Sequence, residues 1–148
     1  TPGYNVRPLE MSGAIGSVQL KKWPAIMKTR IDNAQFFVAM FGNKPWCRIQ
    51  KIIGDSSWFT FGMVLDGELK GRRTELVKAL DEAGIQNRPL ASRNFLKQPV
   101  MRDLDFIDNK DYTAADDIHD NGFFVGNGSL AITDQINKLY EVISKFIK

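Results

Sequence analysis

Arg88 stands immediately before Pro89, so its guanidinium leaves a backbone that is held extended rather than waved on a loop. A fork held in that way suits a bidentate contact with a diphosphate, and it suits a structural salt bridge equally well. Residues 3–7, GYNVR, place an amide (Asn5), an aromatic ring (Tyr4) and a cation (Arg7) on one turn ahead of Pro8, whose fixed φ fits a first helical turn. Arg72 and Arg73 open another expected helix, where cations oppose the dipole. A bound anion would account for them, and so would exposed charges tolerated at a cost of roughly a few tenths of a kcal/mol. Metal and nucleophile chemistry have less to work with. His119, the single histidine, sits among Asp116, Asp117 and Asp120 without a second His or Cys at ligand spacing. A solvated helix-end histidine explains it as well as a general base does. Cys47 lies beside Arg48, which would lower a thiol pKa, but a lone cysteine is commonly a packed small hydrophobe. Residues 126–131, GNGSLA, match G-x-G-x-x-A after an expected strand. Only one helix remains beyond them, which leaves no room for the second strand and acidic residue of a βαβ unit. No G-x-S-x-G elbow is present.

The elements that must position these groups follow from periodicity. Leu9, Gly13, Gly16 and Leu20 make one helical stripe, flanked by Ser12, Ala14 and Ser17. A helix interior tolerates two glycines at up to ~1 kcal/mol each relative to alanine, so this face predicts a close approach by another helix, another chain or the core. Pro24 predicts an end or a kink, followed by a second segment with Met27, Ile31, Ala34, Val38 and Phe41 inward and a stop at Gly42-Asn43. A short strand is expected over 48–53 and a stronger, central one over 58–65, with Phe59, Phe61, Met63 and Leu65 on one face. A helix over 72–83 ending at Gly84, a strand over 85–90 and a turn-rich polar connector over 91–111 come next. The connector's expected anchors are Phe95, Leu96, Val100, Leu104, Phe106 and Ile107. Thr113 caps a short helix, 123–125 is a buried strand, and a last helix starting at Thr133 or Asp134 buries Ile136, Leu139, Tyr140, Ile143, Phe146 and Ile147. Alternating short strands and helices give a small sheet covered by helices.

A chain of 148 residues, 43% hydrophobic and 25% charged, fits one domain with a real core. A formal charge of +3 with scattered cations leaves no nucleic-acid footprint. One cysteine allows no internal disulfide, and no apolar run approaches the length of a membrane span. Without a signal-like start, a soluble cytoplasmic location is expected, with neither nucleic acid nor membrane as partner.

The string GYNVRPLEMSGAIGSVQLKKW resembles a segment of the DegT/StrS-type sugar aminotransferases, pyridoxal-phosphate enzymes of nucleotide-linked keto sugars. Gly3, Tyr4, Asn5, Arg7, Glu10, Ala14, Ile15, Gly16, Gln19 and Leu20 fit that pattern; Pro8 and Gly13 depart from it, where the family more often has Met and Ala. Similar segments recur in order at Gly84-Ile85-Gln86-Asn87-Arg88-Pro89 with Asn94-Phe95, and at Asp120-Asn121-Gly122-Phe123-Phe124-Val125-Gly126-Asn127.

The resemblance implies the C-terminal domain of a fold type I enzyme. That domain is an α+β unit with a small, mainly antiparallel sheet covered by helices and a long kinked N-terminal helix. Residues 1–148 would then be one small domain including the linking helix, with the large cofactor domain absent. It further implies a homodimer in which Asn5 reaches the cofactor phosphate of the neighbouring subunit and Arg7 adds charge nearby, while Arg88, Asn94 and Phe95 meet the substrate. Pyridoxal phosphate belongs to the complete enzyme, and the fragment is expected to bind none and to be inactive alone. The family's Schiff-base lysine lies upstream of the matched stretch, and Lys21, Lys22, Lys28 and Lys44 are not in its context, so no catalytic residue is assigned. The leading expectation is an aminotransferase that moves an amino group from a donor such as glutamate onto a keto-deoxy sugar for surface polysaccharide or lipopolysaccharide. The alternative is the branch with histidine in place of the lysine, which removes the sugar 3-hydroxyl with pyridoxamine phosphate as electron sink. Gly128-Ser129 departs from the histidine-rich continuation often seen there. A reading from another class is a non-catalytic module that binds a nucleotide sugar or a protein partner.

Overall fold

The computed structural model describes residues 9–107 and 111–147. Helix α1 (Glu10–Phe41) opens with an acidic residue in its first turn, where the dipole favours it, and its C-cap Gly42 donates its N–H to Val38 O at 2.8 Å. The helix runs through Pro24 without ending. Proline lacks the N–H that would reach the Leu20 carbonyl, and Leu20 is exposed, so water can take its place. Residues 9–25 are exposed throughout, and a Cβ added at Gly13 or Gly16 would meet nothing within 4 Å. The small-residue stripe therefore packs on nothing among the described residues, and core packing is excluded for it within them.

The second half of α1 is the part that builds the core. Its buried residues are Asn33, Ala34, Phe37 and Phe41. Met27, Ile31 and Val38, expected inward, are only half-buried, because the helix turns Phe37 to the sheet. The Phe37 ring stacks on Phe61 at 4.3 Å and on Phe41 at 4.7 Å. Such pairs add about 0.5–1.5 kcal/mol each beyond burial.

The sheet is antiparallel throughout, in the order β1-β2-β4-β3, with β1 (Cys47–Ile49), β2 (Thr60–Leu65), β3 (Asn87–Pro89) and β4 (Gly122–Gly126). Phe61, Met63 and Leu65 alternate inward on β2, as period two requires, with Phe123 and Val125 beside them on β4. Phe59 breaks the expected pattern at 81% exposure. Trp58 adopts φ 48, which ends the strand geometry and swings its own ring into the core instead. Helices α2 (Arg73–Glu82) and α4 (Thr133–Ser144) join α1 on this inner face through Leu76, Leu80, Ile136, Leu139 and Ile143. Gly84, at φ 74, closes α2: its N–H reaches Asp81 O, and that of Ile85 reaches Leu80 O at 2.8 Å. Helix α3 (Thr113–Asn121) packs on the opposite face and feeds directly into β4. Between β3 and α3 the chain makes short 3-10 turns at Phe95–Lys97 and Pro99–Asp103. Phe95, Val100, Leu104, Phe106 and Ile107 are exposed there and are not buried as anchors among the described residues.

Candidate substrate-binding site on the outer sheet face

Register decides what the outer face carries. Gly62 on β2 pairs with Phe124 on β4, and Phe124 pairs with Arg88 on β3, so a glycine, an aromatic ring and a guanidinium form one row across three strands. Thr60 and Gly126 form the neighbouring pair on the same face. Phe124 is half-buried and takes no part in the core cluster, while Arg88 is exposed. Arg88 has no hydrogen-bond or ion-pair partner among the described residues, which removes the salt-bridge account of it there. An unpaired fork beside an aromatic ring can take a phosphate and a planar base.

Leu90 holds this strand in place. Its Cδ1 and Cδ2 lie 2.7 and 3.2 Å from where Cβ atoms at Gly122 and Gly62 would stand, so the two glycines form a trough for one leucine. The chain then reverses with Arg93 N–H donating to Leu90 O at 2.9 Å, and Ala91 and Arg93 take φ 42 and 56. Asn94, 5% exposed, accepts from Leu96 N–H and donates to Asp116 Oδ1 at 2.8 Å. Its amide thereby fastens the turn to α3. Lys97 reaches the same carboxylate at 2.7 Å, and these two bonds, Lys97 first, hold Asp116 below the usual carboxylate range. Phe95 is half exposed on the outside of the turn. Of the residues expected at a site, Arg88, Asn94 and Phe95 thus belong to one short stretch, whereas Asn5 and Arg7 lie outside the described residues.

The paired arginines prove to be clasps. Arg72 holds Glu75 and donates to Phe146 O at 3.0 Å, its guanidinium 5.2 Å from the Phe146 ring centroid. Arg73 donates to Asp120 O at 2.9 Å and to Gly122 O, capping the carbonyl end of α3. Cys47 is buried, and desolvation pushes its thiol up to about 12 despite Lys44 nearby, so it is no nucleophile at neutral pH. The His119 Nδ1 is buried without a hydrogen-bond partner, and no His, Cys, Asp and Glu group among the described residues could hold a metal. The G-x-G-x-x-A stretch follows a strand that is antiparallel to both neighbours, which no dinucleotide crossover contains.

Sequence reasoning missed a buried amide cluster. Asn127 donates to Trp58 O at 2.9 Å and to Arg30 O, and accepts from Asn33 at 3.1 Å; Asn33 also reaches Leu130 O. Arg30 closes it from the other side through Trp58 O at 2.7 Å. The signal was there in the position of Asn33, adjacent to Ala34 on the inward stripe of α1, since buried amides need partners.

A model of the DegT/DnrJ/EryC1/StrS aminotransferase family matches residues 1–144. The chain is 45% identical over 145 residues to the GDP-4-keto-6-deoxy-D-mannose 3-dehydratase of Yersinia pseudotuberculosis, a match covering 97% of this chain and 37% of that protein. It superposes on the Escherichia coli GDP-4-keto-6-deoxy-D-mannose-3-dehydratase, solved with bound hydrated PLP, at a TM-score of 0.87 and 42% identity, covering 96% of this chain and 37% of that one. A Helicobacter pylori aminotransferase involved in the biosynthesis of pseudoaminic acid matches at a TM-score of 0.80 and 18% identity, over 99% of this chain and 39% of the other, a likeness of fold alone. The chain spans about 37% of the length of the two curated GDP-4-keto-6-deoxy-D-mannose 3-dehydratases it matches.

Proposed function

Because the chain belongs to the DegT/DnrJ/EryC1/StrS aminotransferase family, we propose that it is the C-terminal part of a pyridoxal-phosphate-dependent 3-dehydratase of a nucleotide-linked 4-keto-6-deoxyhexose. The supporting observation is identity: 45% and 42% to two GDP-4-keto-6-deoxy-D-mannose 3-dehydratases, against 18–19% for the sugar aminotransferases of the same fold. The aminotransferase expectation gives way to its dehydratase alternative on that ground. A GDP-linked sugar is the first substrate to test.

Within such an enzyme, this chain's share is substrate binding and placement. Arg88 meets a substrate phosphate, Phe124 and Phe95 offer aromatic surface, and Asn94 acts by fastening the turn to α3. Bound in the complete enzyme, pyridoxal or pyridoxamine phosphate supplies an electron sink. Among the described lysines all but Lys44 are exposed, and Lys44 donates to the Tyr140 hydroxyl. Asn5, with Arg7 beside it, is this chain's contribution to the cofactor phosphate across a homodimer.

The test uses the complete protein with the cofactor, glutamate as amino donor and GDP-4-keto-6-deoxy-D-mannose, the product being read by mass spectrometry and NMR. The expected product has lost the C3 oxygen and carries no amine. An aminated sugar with every hydroxyl intact makes the protein an aminotransferase. Stoichiometric nucleotide-sugar binding without turnover makes it a binding module.

A further inference from the structure

We infer that the turn over residues 90–93 completes a diphosphate site, with Arg93 as a second phosphate ligand beside Arg88; this rests on the nucleotide-sugar reading above. Arg93 is half-buried, and its guanidinium makes no hydrogen bond or ion pair among the described residues. Arg73, a charge of the same sign, stands near enough to feel it. Burial and then the charge of Arg93 lower the Arg73 pKa, against a smaller opposing contribution from Asp120. Lys97, in the same stretch, is already paired with Asp116. Arg73 gives its donors to the neutral carbonyls of Asp120 and Gly122, so neither guanidinium is held by a carboxylate among the described residues. An anion is what that arrangement lacks.

The backbone is arranged to keep Arg93 there. At φ 56 an L-residue other than Asn or Gly is strained, and the preceding Ala91 is strained too. The turn is nevertheless pinned on both sides, by Leu90 in its glycine trough and by Asn94 on Asp116. The turn brings the Cα atoms of Leu90 and Arg93 within about 7 Å, and Arg88 precedes Leu90 by two residues on the same face, so both arginines stand at one edge of the outer face.

Calorimetric titration of the complete protein with GDP, inorganic pyrophosphate and guanosine tests this, alongside thermal unfolding of each variant. Arg93→Gly suits the φ of the turn, so its Tm should hold or rise while GDP and pyrophosphate each bind about tenfold more weakly and guanosine is unaffected. Arg93→Asn, which also tolerates this backbone, should do the same and stands in if the glycine variant folds poorly. If both Arg93 variants keep parental affinity while Arg88→Gln loses it, Arg93 is no ligand and the nucleotide-sugar reading survives. If the parent binds neither GDP nor pyrophosphate, the reading itself fails and this inference falls with it.

Discussion

The two faces of one four-stranded sheet are built on opposite terms. Inward, Phe61, Met63, Leu65 and Phe123 are fully buried beneath three helices. Outward, in the same strands and alternating with those residues, stand Thr60, Gly62, Val64, Gly122, Phe124 and Gly126, none larger than valine except one phenylalanine. A single short helix and one leucine cover part of that outer side. Large apolar side chains carry the stability of the domain, while small ones keep the outer surface shallow enough for a turn and a ligand to lie against it. Stability and binding are thus separated by the period-two alternation of two strands.

Substitution of one residue from each face puts that separation at risk most directly. Phe61→Ala removes a ring stacked on Phe37 and should cost about 3–5 kcal/mol, enough to unfold much of the domain in chemical denaturation. Phe124→Ala should cost under about 1 kcal/mol and lower nucleotide affinity instead. If Phe124→Ala proves as costly as Phe61→Ala, the outer face is a second core and the contrast is wrong. Smaller effects grade the outer face itself. A Cβ at Gly122 would collide with Ile118 O and with Leu90, whereas one at Gly126 would meet nothing within 4 Å. Gly122→Ala should therefore cost about 1–3 kcal/mol and Gly126→Ala roughly 0.5 kcal/mol or less, both read from thermal unfolding. Asn127→Ala belongs with the former: it removes a buried amide that joins Asn33 to the Arg30 and Trp58 carbonyls, for about 1–3 kcal/mol, although Arg30 still reaches Trp58 O and Asn33 still reaches Leu130 O.

Where the sequence was legible, one local rule acted alone. The inward residues of β2 follow from strict alternation, and the end of α2 follows from Gly84, whose φ 74 only glycine adopts freely. Long-range partners escaped it. Nothing local announces that Trp58 leaves the strand, because its φ of 48 is held by Arg30 and Asn127, 28 and 69 residues away. Arg72 and Arg73 looked like candidates for an anion because their carbonyl acceptors, on Phe146 and Asp120, lie 74 and 47 residues on. At the site, Arg88 stood out through Pro89, but Phe124 becomes its neighbour only through the pairing of β3 with β4. Arg93 carried no signal at all, since backbone strain is a property of the folded turn.

The smallest expected effect divides the outer face into a closed and an open half. At the closed end Arg48, on β1 opposite Val64, pairs with Asp66 and with Asp117 of α3, and Asp117 also takes Lys70 and Asn121. The bond from Arg48 is the main reason the Asp117 carboxyl sits below the ordinary carboxylate range. A carboxyl lowered in the folded state contributes stability that is complete above its unfolded value, near ~4, and is lost as pH falls through the lower folded value. Acid should therefore loosen α3 from β1 at pH below about 4, leaving the inner core intact at first. Asp117→Asn keeps the volume, removes the charge and should flatten that acid limb while costing less than about 1 kcal/mol at neutral pH. Hydrogen exchange in α3 compared with β2 reads the difference. If both segments lose protection together in the parent as the pH drops, α3 is part of the core unit, and the outer face has no separately stable half on which a binding turn could be mounted.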